Sequence, residues 1–244
     1  MRLDLALVER GLAPSRSRAH DAVKRGTVQV DGITVRKSGI EVPSNSHVTI
    51  DDAASGYVSR AALKLIAGLD GFDIDPRGSN ALDVGASTGG FTQVLLERGA
   101  AHVTAIDVGH GQLARNLASD PRVRPIEGLN ARDLAADDVT YAPDLVVADV
   151  SFISLRLALP PALSIAAKDA RCVLLVKPQF EVGPEAIGKG GIVRDPAIAM
   201  AAATNTREWL DQLPGWRSLG LLPSPIVGSH GNAEWLLGGA KDRA

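Results

Sequence analysis

Cysteine, aromatic residues and long apolar runs are all scarce in this sequence. The single cysteine, Cys172, can form neither an internal disulfide nor a cysteine-based zinc site, and we expect no bound metal. Aromatic residues make up 4% of the chain, and no apolar run approaches the ~20 residues that span a bilayer. Charge follows Met1 at once, at Arg2 and Asp4, unlike the start of a signal peptide. These absences argue against a secreted or membrane-spanning protein and favour a cytoplasmic one.

Charge is nearly balanced over the 244 residues, at −2, but it is unevenly distributed. Residues 1–50 contain eight Lys/Arg against five Asp/Glu, a balance of +3, whereas residues 61–244 contain 17 against 21, a balance of −4. A locally basic region is one mark of nucleic-acid binding. The small polar residues of 53–60 are typical of a linker, so we predict one domain at 1–52 and a second at 61–244.

Residues 1–52 have the pattern of two short helices followed by a β-hairpin. Apolar residues recur at helical spacing at the start, and Ala19 and Ala22 belong to a second apolar stripe. An Asp-Gly pair at residues 31–32, between alternating apolar residues, is a strong hairpin signal. This order of elements resembles the alpha-L RNA-binding module of a ribosomal protein, pseudouridine synthases and tyrosyl-tRNA synthetases.

The resemblance to this module implies binding to structured RNA through phosphate and shape contacts. We therefore expect the basic residues of this region and of its flank to contact RNA. These residues are Arg2, Arg16, Arg18, His20, Lys24, Arg25 and Arg60. The alternative is that they form a solvated helix face without a partner.

From residue 80 onward, short apolar strands alternate with helical segments. The predicted strands are Ala81–Val84, His102–Ile106, Val123–Ile126, Asp144–Asp149 and Cys172–Lys177. This alternation predicts a parallel sheet with right-handed crossovers, and ligands bind such sheets beyond the carboxyl ends of the strands. The residues at or just after those ends are Gly85, Asp107, Asn130, Asp149 and Lys177. The sequence thus predicts an α/β, Rossmann-like domain with a ligand site along that edge.

The turn that follows the first of these strands is rich in glycine. Its glycine spacing does not fit the G-x-G-x-x-G pattern of dinucleotide-binding proteins. The phosphate-binding pattern G-x-x-x-x-G-K-[ST] fits except that Phe91 replaces the lysine, which argues against an NTPase. S-adenosylmethionine remains, because its carboxylate needs open backbone amides and its ribose needs an acid such as Asp107 at the next strand end. A tight turn with a capping aspartate is the alternative at this point.

Two charged residues end neighbouring strands of the predicted sheet. Lys177 ends one strand, and Pro178 cannot continue a central ladder, so the lysine is held at the edge. Asp149 ends the preceding strand, so the two side chains can pair. An ion pair with a purely structural role is the alternative.

Four segments of the chain resemble the TlyA family. They are Asp83–Thr92, Asp149–Leu155, Val176–Glu181 and Ser224–Glu234. Proteins of this family, once labelled haemolysins, are similar to FtsJ-type ribose 2′-O-methyltransferases. The resemblance covers nearly the whole chain. It implies a class I S-adenosylmethionine-dependent methyltransferase domain preceded by the small α+β RNA-binding domain.

The resemblance also implies which residues carry the chemistry. The family's Lys-Asp-Lys-Glu catalytic tetrad is matched by motif at Lys64, Asp149, Lys177 and Glu234. The family often has glycine shortly before the first lysine, where this chain has Ala61 and Ala62. The cofactor contacts are implied at Asp83, Gly85, Ala86, Ser87, Thr88, Gly89, Gly90, Phe91, Asp107, Val108, Asn130 and Asp149.

A ribose 2′-hydroxyl is a poor nucleophile at neutral pH, so it must be oriented and relieved of its proton. Lys177 is the best candidate for the base, or it stabilises the alkoxide instead. A glycine-rich loop after that strand carries Lys189 and Arg194, which suit RNA entering the site; a plain flexible connection is the alternative.

The predicted function is S-adenosylmethionine-dependent 2′-O-methylation of a ribose, most simply of a cytidine, in ribosomal RNA. The early end of the chain resembles the family's shorter forms and favours large-subunit RNA. The expected partner is ribosomal RNA or a ribosomal subunit, and we expect a monomer or weak homodimer without a membrane partner. Two rivals are a membrane-active haemolysin, which needs an amphipathic or spanning segment, and a non-catalytic RNA-binding assembly factor.

Overall fold

The computed structural model describes residues 1–228 and 231–242, and it divides the chain into two compact units. The first unit is Met1–Gly56 and the second is Tyr57–Ala244. The division falls within residues 53–60, the segment whose composition is typical of a linker.

The first unit contains two helices and a small antiparallel sheet in the order β2-β1-β3. Its elements are α1 (Leu3–Glu9), α2 (Arg16–Arg25), β1 (Val28–Val30), β2 (Ile33–Val35) and β3 (Val48–Ile50). The Ser15 side chain accepts a hydrogen bond from the Arg18 amide and begins α2, and Gly26 ends the helix at φ 77°. The predicted pair of helices and the hairpin are therefore present.

The second unit is built on a seven-stranded sheet in the order β6-β5-β4-β7-β8-β10-β9. Its strands are β4 (Asn80–Val84), β5 (His102–Asp107), β6 (Val123–Glu127), β7 (Leu145–Ala148), β8 (Arg171–Val176), β9 (Trp216–Pro223) and β10 (Trp235–Lys241). Strands β4 to β8 pair in parallel, whereas β10 runs antiparallel to both of its neighbours. The predicted α/β fold with a parallel sheet is confirmed.

Helices cover both faces of this sheet. They are α3 (Ala61–Gly71), α4 (Gly90–Glu97), α5 (Arg115–Ala118), α6 (Leu155–Ala158), α7 (Pro160–Ser164) and α8 (Pro196–Asp211). Helices α3, α4 and α5 share one apolar core with the sheet, and α6, α7 and α8 share the other. Strands β4, β5, β7 and β8 therefore lie between two apolar layers, which explains their largely apolar sequences, whereas β6 at the side of the sheet is mostly exposed.

The buried face of α3 differs in part from the spacing in the sequence. Leu63 and Ile66 suggest the inner face, but both are only half-buried, whereas Leu65 and Leu69 are almost fully enclosed. Lys64 is also buried, at 8% exposure, although a lone lysine in a helix is usually a surface residue. The helix packs so closely on the sheet at Gly68 that a Cβ there would lie 2.5 Å from Val173 Cγ1.

One carboxyl group, that of Asp83 in β4, lies wholly inside the second unit. It is 0% exposed and accepts a hydrogen bond of 2.6 Å from the Thr92 hydroxyl of α4. Burial, reinforced by the charge of Asp149, raises the pKa of Asp83 from 3.8 to about 7, and the bond from Thr92 opposes that rise. This aspartate therefore holds its proton over a pH range in which an exposed aspartate is ionised.

This raised pKa makes stability depend on pH in a defined direction. Between about pH 4 and 7 the folded chain retains a proton that the unfolded chain loses, so the free energy of unfolding falls as pH rises, by an amount on the order of 4 kcal/mol at most. Asp83→Asn removes this component. We expect the stability of the natural chain relative to Asp83→Asn to decline from pH 4 to 7 and then level off in urea denaturation.

The matched control is Asp137→Asn, because Asp137 is exposed. Its stability curve should run parallel to that of the natural chain. Parallel curves for Asp83→Asn as well would contradict the buried, protonated carboxyl.

Candidate active site

The predicted catalytic and cofactor-binding residues converge on one edge of the seven-stranded sheet. This edge carries the segments that follow β4, β5, β6, β7 and β8 and the segment that precedes β10. All of it belongs to the second unit.

The glycine-rich turn after β4 passes close to the backbone after β7. Gly85 has φ 83°, and a Cβ on it would lie 2.8 Å from the carbonyl oxygen of Asp149. Gly89 has φ 98° and begins α4, where a Cβ would lie 2.4 Å from Leu117 Cδ1. Both positions combine a left-handed backbone with close packing, so they accept only glycine.

The residues of this turn differ in what they can offer a ligand. Ser87 and Thr88 are exposed, whereas Ala86 and Phe91 are buried at 8% and 3% exposure, and Asp83 is fully enclosed. The side chains of Asp83 and Phe91 therefore belong to the core, and these two positions support the turn from below.

Asp107 at the end of β5 connects two of the loops. Its Oδ2 accepts a hydrogen bond of 2.8 Å from the Ser87 amide, and its Oδ1 accepts one of 2.7 Å from the Gly109 amide. The carboxylate is thereby fixed beside the turn that follows β4. Val108 next to it is 67% exposed, which is unusual for a valine and leaves an apolar surface at the edge.

The loop after β6 reaches the same place. The Leu129 amide donates to the carbonyl oxygen of Asp107 at 3.2 Å. Asn130 follows, and its Oδ1 accepts from the amide and from Nε of Arg132 at 3.1 and 3.3 Å. Hydrogen bonds thus connect the loops that follow three neighbouring strands, β4, β5 and β6.

The four predicted catalytic residues form two ion pairs. Lys177 Nζ lies 2.6 Å from Asp149 Oδ1, and Lys64 Nζ lies 2.5 Å from Glu234 Oε2. Lys64, Lys177 and Glu234 are 8%, 9% and 5% exposed, respectively. Charged groups so buried are retained only when each is paired, so each of these residues requires its own partner.

The strand register brings the two pairs together. Trp235 of β10 lies opposite Val176 of β8 in the antiparallel ladder. Glu234 and Lys177 are the next residues outward in this register, so their side chains project from the same face at adjacent positions. The structure therefore unites residues from four distant parts of the chain.

Three polar residues at this edge were not singled out by the sequence analysis. Ser151 accepts a hydrogen bond of 2.7 Å from Lys177 Nζ. Glu181 accepts bonds from the Ser154 hydroxyl at 2.6 Å and from the Leu155 amide at 2.8 Å, and burial raises its pKa. Their only signal in the sequence is that they fall in segments resembling the TlyA family.

Asn232, the third of these residues, fastens the glycine-rich loop after β8 to the segment that carries Glu234. It is 3% exposed, its Oδ1 accepts from the Val193 amide at 3.0 Å, and its Nδ2 donates to the Gly191 carbonyl at 2.9 Å. Lys189 and Arg194 on this loop are exposed, at either end of the fastened stretch.

The predicted RNA-binding residues of the first unit differ in their availability. Arg2 and Arg16 both contact Asp4, a buried acid whose pKa these arginines hold well below its usual range. Arg25 is paired with Asp52, and its side chain is only 18% exposed. Some of the N–H donors of these three arginines are therefore engaged inside the unit.

The remaining basic residues are more accessible or lie elsewhere. Lys24 and His20 are exposed on α2, and His20 Nδ1 is 2.7 Å from the Ser38 hydroxyl. Arg18 donates to the Ala54 carbonyl oxygen at 2.7 Å. Arg60 is partly exposed at the start of α3, in the second unit.

The described residues contain neither a cluster of metal-binding side chains nor a membrane-spanning helix. Within residues 1–228 and 231–242, no three His, Cys, Asp or Glu side chains are grouped so that they could hold a metal ion. No helix in that same part of the chain is long and apolar enough to cross a membrane.

Two family profiles match the chain, one in each unit. The S4 domain matches residues 1–48, and the FtsJ-like methyltransferase matches residues 57–241. The predicted RNA-binding module and the predicted methyltransferase fold are thereby confirmed.

Individual relatives are similar over most of the chain. One from Mycobacterium tuberculosis, named 16S/23S rRNA (cytidine-2′-O)-methyltransferase TlyA, is 46% identical over 97% of this chain and 88% of its own length. One from Campylobacter jejuni, named 23S rRNA (cytidine-2′-O)-methyltransferase TlyA, is 38% identical over 73% of this chain and 69% of its own.

A solved structure agrees with these relatives. It is a hemolysin-named protein from Streptococcus thermophilus that is 39% identical and has a TM-score of 0.77, over 100% of this chain and 89% of its own. The fold, the motifs and the sequence identity over nearly the full length all indicate the same family. The chain therefore belongs to the TlyA family of FtsJ-like methyltransferases.

Proposed function

We propose that this protein transfers a methyl group from S-adenosylmethionine to the 2′-hydroxyl of a cytidine ribose in ribosomal RNA, in the cytoplasm. The observation that carries the proposal is the meeting of Lys177–Asp149 and Lys64–Glu234 at the edge of a methyltransferase sheet. The names of the two rRNA-modifying relatives support this substrate. Both names include 23S rRNA, so large-subunit RNA is the favoured target.

The residues along β4 to β6 fit S-adenosylmethionine. The turn before α4 is exposed at Ser87 and Thr88 and lies at the N-terminus of that helix, which favours the negative charge of a carboxylate. Asp107 is a fixed acceptor for ribose hydroxyls, and Val108 is an apolar surface for the adenine. Asn130 lies on the adjoining loop after β6. When bound, S-adenosylmethionine supplies the electrophilic methyl group.

The residues along β7, β8 and β10 prepare the ribose hydroxyl. Lys177, once its side chain has released a proton to become the neutral amine, is the group that meets the hydroxyl and takes its proton, and Asp149 fixes the position of Nζ. Lys64 and Glu234 form the second ion pair beside it. In the proposed mechanism the base thus lies where water is largely excluded and where charge develops during the transfer.

Each unit carries its own exposed basic residues for contact with RNA. Lys189 and Arg194 lie on the loop that Asn232 fastens beside Glu234. The S4 domain supplies a separate contact with folded RNA, chiefly through Lys24 and the partly engaged arginines of α2. A non-catalytic assembly factor would not need the buried tetrad, and the family relationship favours methyl transfer over membrane lysis.

Substitution of Lys177 tests the catalytic assignment. We expect Lys177→Ala to lower methyl transfer to 23S rRNA about 10²- to 10⁴-fold, because the base is removed. Lys177→Arg should be equally impaired, since a guanidinium keeps the charge but does not accept a proton at neutral pH. The measurement is incorporation of labelled methyl groups, with mapping of the 2′-O-methyl mark on the RNA.

S-adenosylmethionine affinity, measured by calorimetry, should survive both substitutions. Full activity of Lys177→Arg would show that charge, and not proton transfer, is the contribution of this side chain. Full activity of Lys177→Ala would remove Lys177 from the mechanism altogether.

Substitution of Asp107 tests the cofactor assignment. Asp107→Ala removes the acceptor for the ribose and frees the amides of Ser87 and Gly109, so we expect S-adenosylmethionine to bind about 10- to 100-fold more weakly. The exposed Asp137→Ala is the control and should bind normally. An unchanged dissociation constant for Asp107→Ala would place the cofactor elsewhere.

Substitution of Lys24 tests the RNA contact of the first unit. We expect Lys24→Gln to weaken RNA binding and to reduce the slope of log K against log salt by about 1, because one phosphate contact is lost. The control is Lys168→Gln, which removes the same charge from an exposed position before β8, at the opposite edge of the sheet. Equal slopes for both variants would argue against a phosphate contact at Lys24.

A further inference from the structure

Lys177 has two hydrogen-bond acceptors, and only one of them belongs to the tetrad. Asp149 Oδ1 lies 2.6 Å from Nζ, and the Ser151 hydroxyl oxygen lies 2.7 Å from it. Ser151 is exposed, so this side chain lies at the surface of the site, next to the buried lysine.

A second acceptor changes what a lysine can do. The neutral amine that acts as a base has two N–H donors and one lone pair, and a single hydrogen-bond partner leaves it free to rotate about the bond to Cε. Two acceptors at fixed positions engage both N–H groups, stop that rotation and fix the direction of the lone pair. Catalysis by a positioned base depends on such orientation, because small angular errors reduce the rate.

Ser151 itself is held by contacts at both ends of its loop. At one end, the Asp149 amide donates to the Val84 carbonyl oxygen at 3.0 Å. At the other, the carboxylate of Glu181 receives the Ser154 hydroxyl and the Leu155 amide. Glu181 follows Lys177 by four residues, so the loop of Ser151 is fastened to the same segment that supplies the lysine.

The backbone of the loop adds a further constraint. Phe152 has φ 64°, a left-handed value that is rare for an aromatic residue, and its ring lies 5.3 Å from that of Phe180. A residue held in this conformation sets the direction of the residue before it, because the chain has little freedom between Asp149 and Ser154.

We propose that Ser151 is a positioning residue for Lys177, whose hydroxyl oxygen fixes the direction of Nζ toward the ribose 2′-hydroxyl. The inference rests on the proposed function, and it adds a fifth side chain to the tetrad. Ser151 acts through Lys177, so its effect should fall on the rate of methyl transfer and not on the binding of either substrate.

The test compares Ser151→Ala with Ser151→Thr in single-turnover methylation of 23S rRNA, with enzyme and S-adenosylmethionine saturating. We expect Ser151→Ala to lower the single-turnover rate constant about 10- to 100-fold. Ser151→Thr retains the hydroxyl and should recover most of the rate. The dissociation constants of RNA and S-adenosylmethionine and the midpoint of thermal unfolding should remain close to those of the natural protein.

Ser164→Ala is the matched control, because Ser164 is also exposed and its hydroxyl donates to a carbonyl oxygen of its own helix, remote from Lys177. An unchanged rate in Ser151→Ala, or an equal defect in Ser151→Thr, would overturn the positioning role. So would a defect that appears only as weaker RNA binding. A natural protein that transfers no methyl group to 23S or 16S rRNA would instead overturn the proposed function, and this inference with it.

Discussion

The pairing of buried charges is the constraint on which the rest of this site depends. Lys64 and Glu234 are separated by 170 residues and are almost removed from water, so each is tolerated only because the other is present. Removal of one partner from a buried pair destabilises a protein by about 3–5 kcal/mol. The tetrad therefore forms only when α3, β8 and β10 have all reached their places, and its members contribute to folding as well as to chemistry.

The direction of one strand explains how the fourth member reaches the site. Parallel strands present their carboxyl ends at one edge, which suits Asp149 after β7 and Lys177 after β8. An antiparallel strand presents its beginning at that same edge. Glu234 is the residue just before β10. Because β10 runs antiparallel to β8, Glu234 lies beside Lys177. If β10 were parallel to β8, the residue just before it would lie at the opposite edge of the sheet.

The sequence predicts the sheet well, because strands buried on both faces are continuous apolar runs and their ends carry the ligand residues. It predicts the tetrad only through long family motifs, since Lys64 alone resembles a surface lysine and its burial depends on Glu234. The half-buried Leu63 and Ile66 show the same limit, because the buried face of α3 is set by its packing on α4, β8 and β10. Ser151, Glu181 and Asn232 are missed because their partners are set by how neighbouring loops meet.

The distance between the proposed cofactor site and the tetrad follows from one close approach of two backbone segments. The proposed cofactor residues lie at or after the ends of β4, β5 and β6, whereas Asp149 and Lys177 follow β7 and β8 and Glu234 precedes β10. These two halves of the site meet where Gly85 passes the backbone of Asp149. The approach is so close that a Cβ on residue 85 would lie 2.8 Å from the carbonyl oxygen of Asp149. A side chain on residue 85 would displace the glycine-rich turn or the backbone of Asp149, and in the proposed function this would move the methyl donor relative to Lys177. Since transfer rates fall steeply with misplacement of about 1 Å, we expect the proposed reaction to depend on Gly85 as well as on the charged residues.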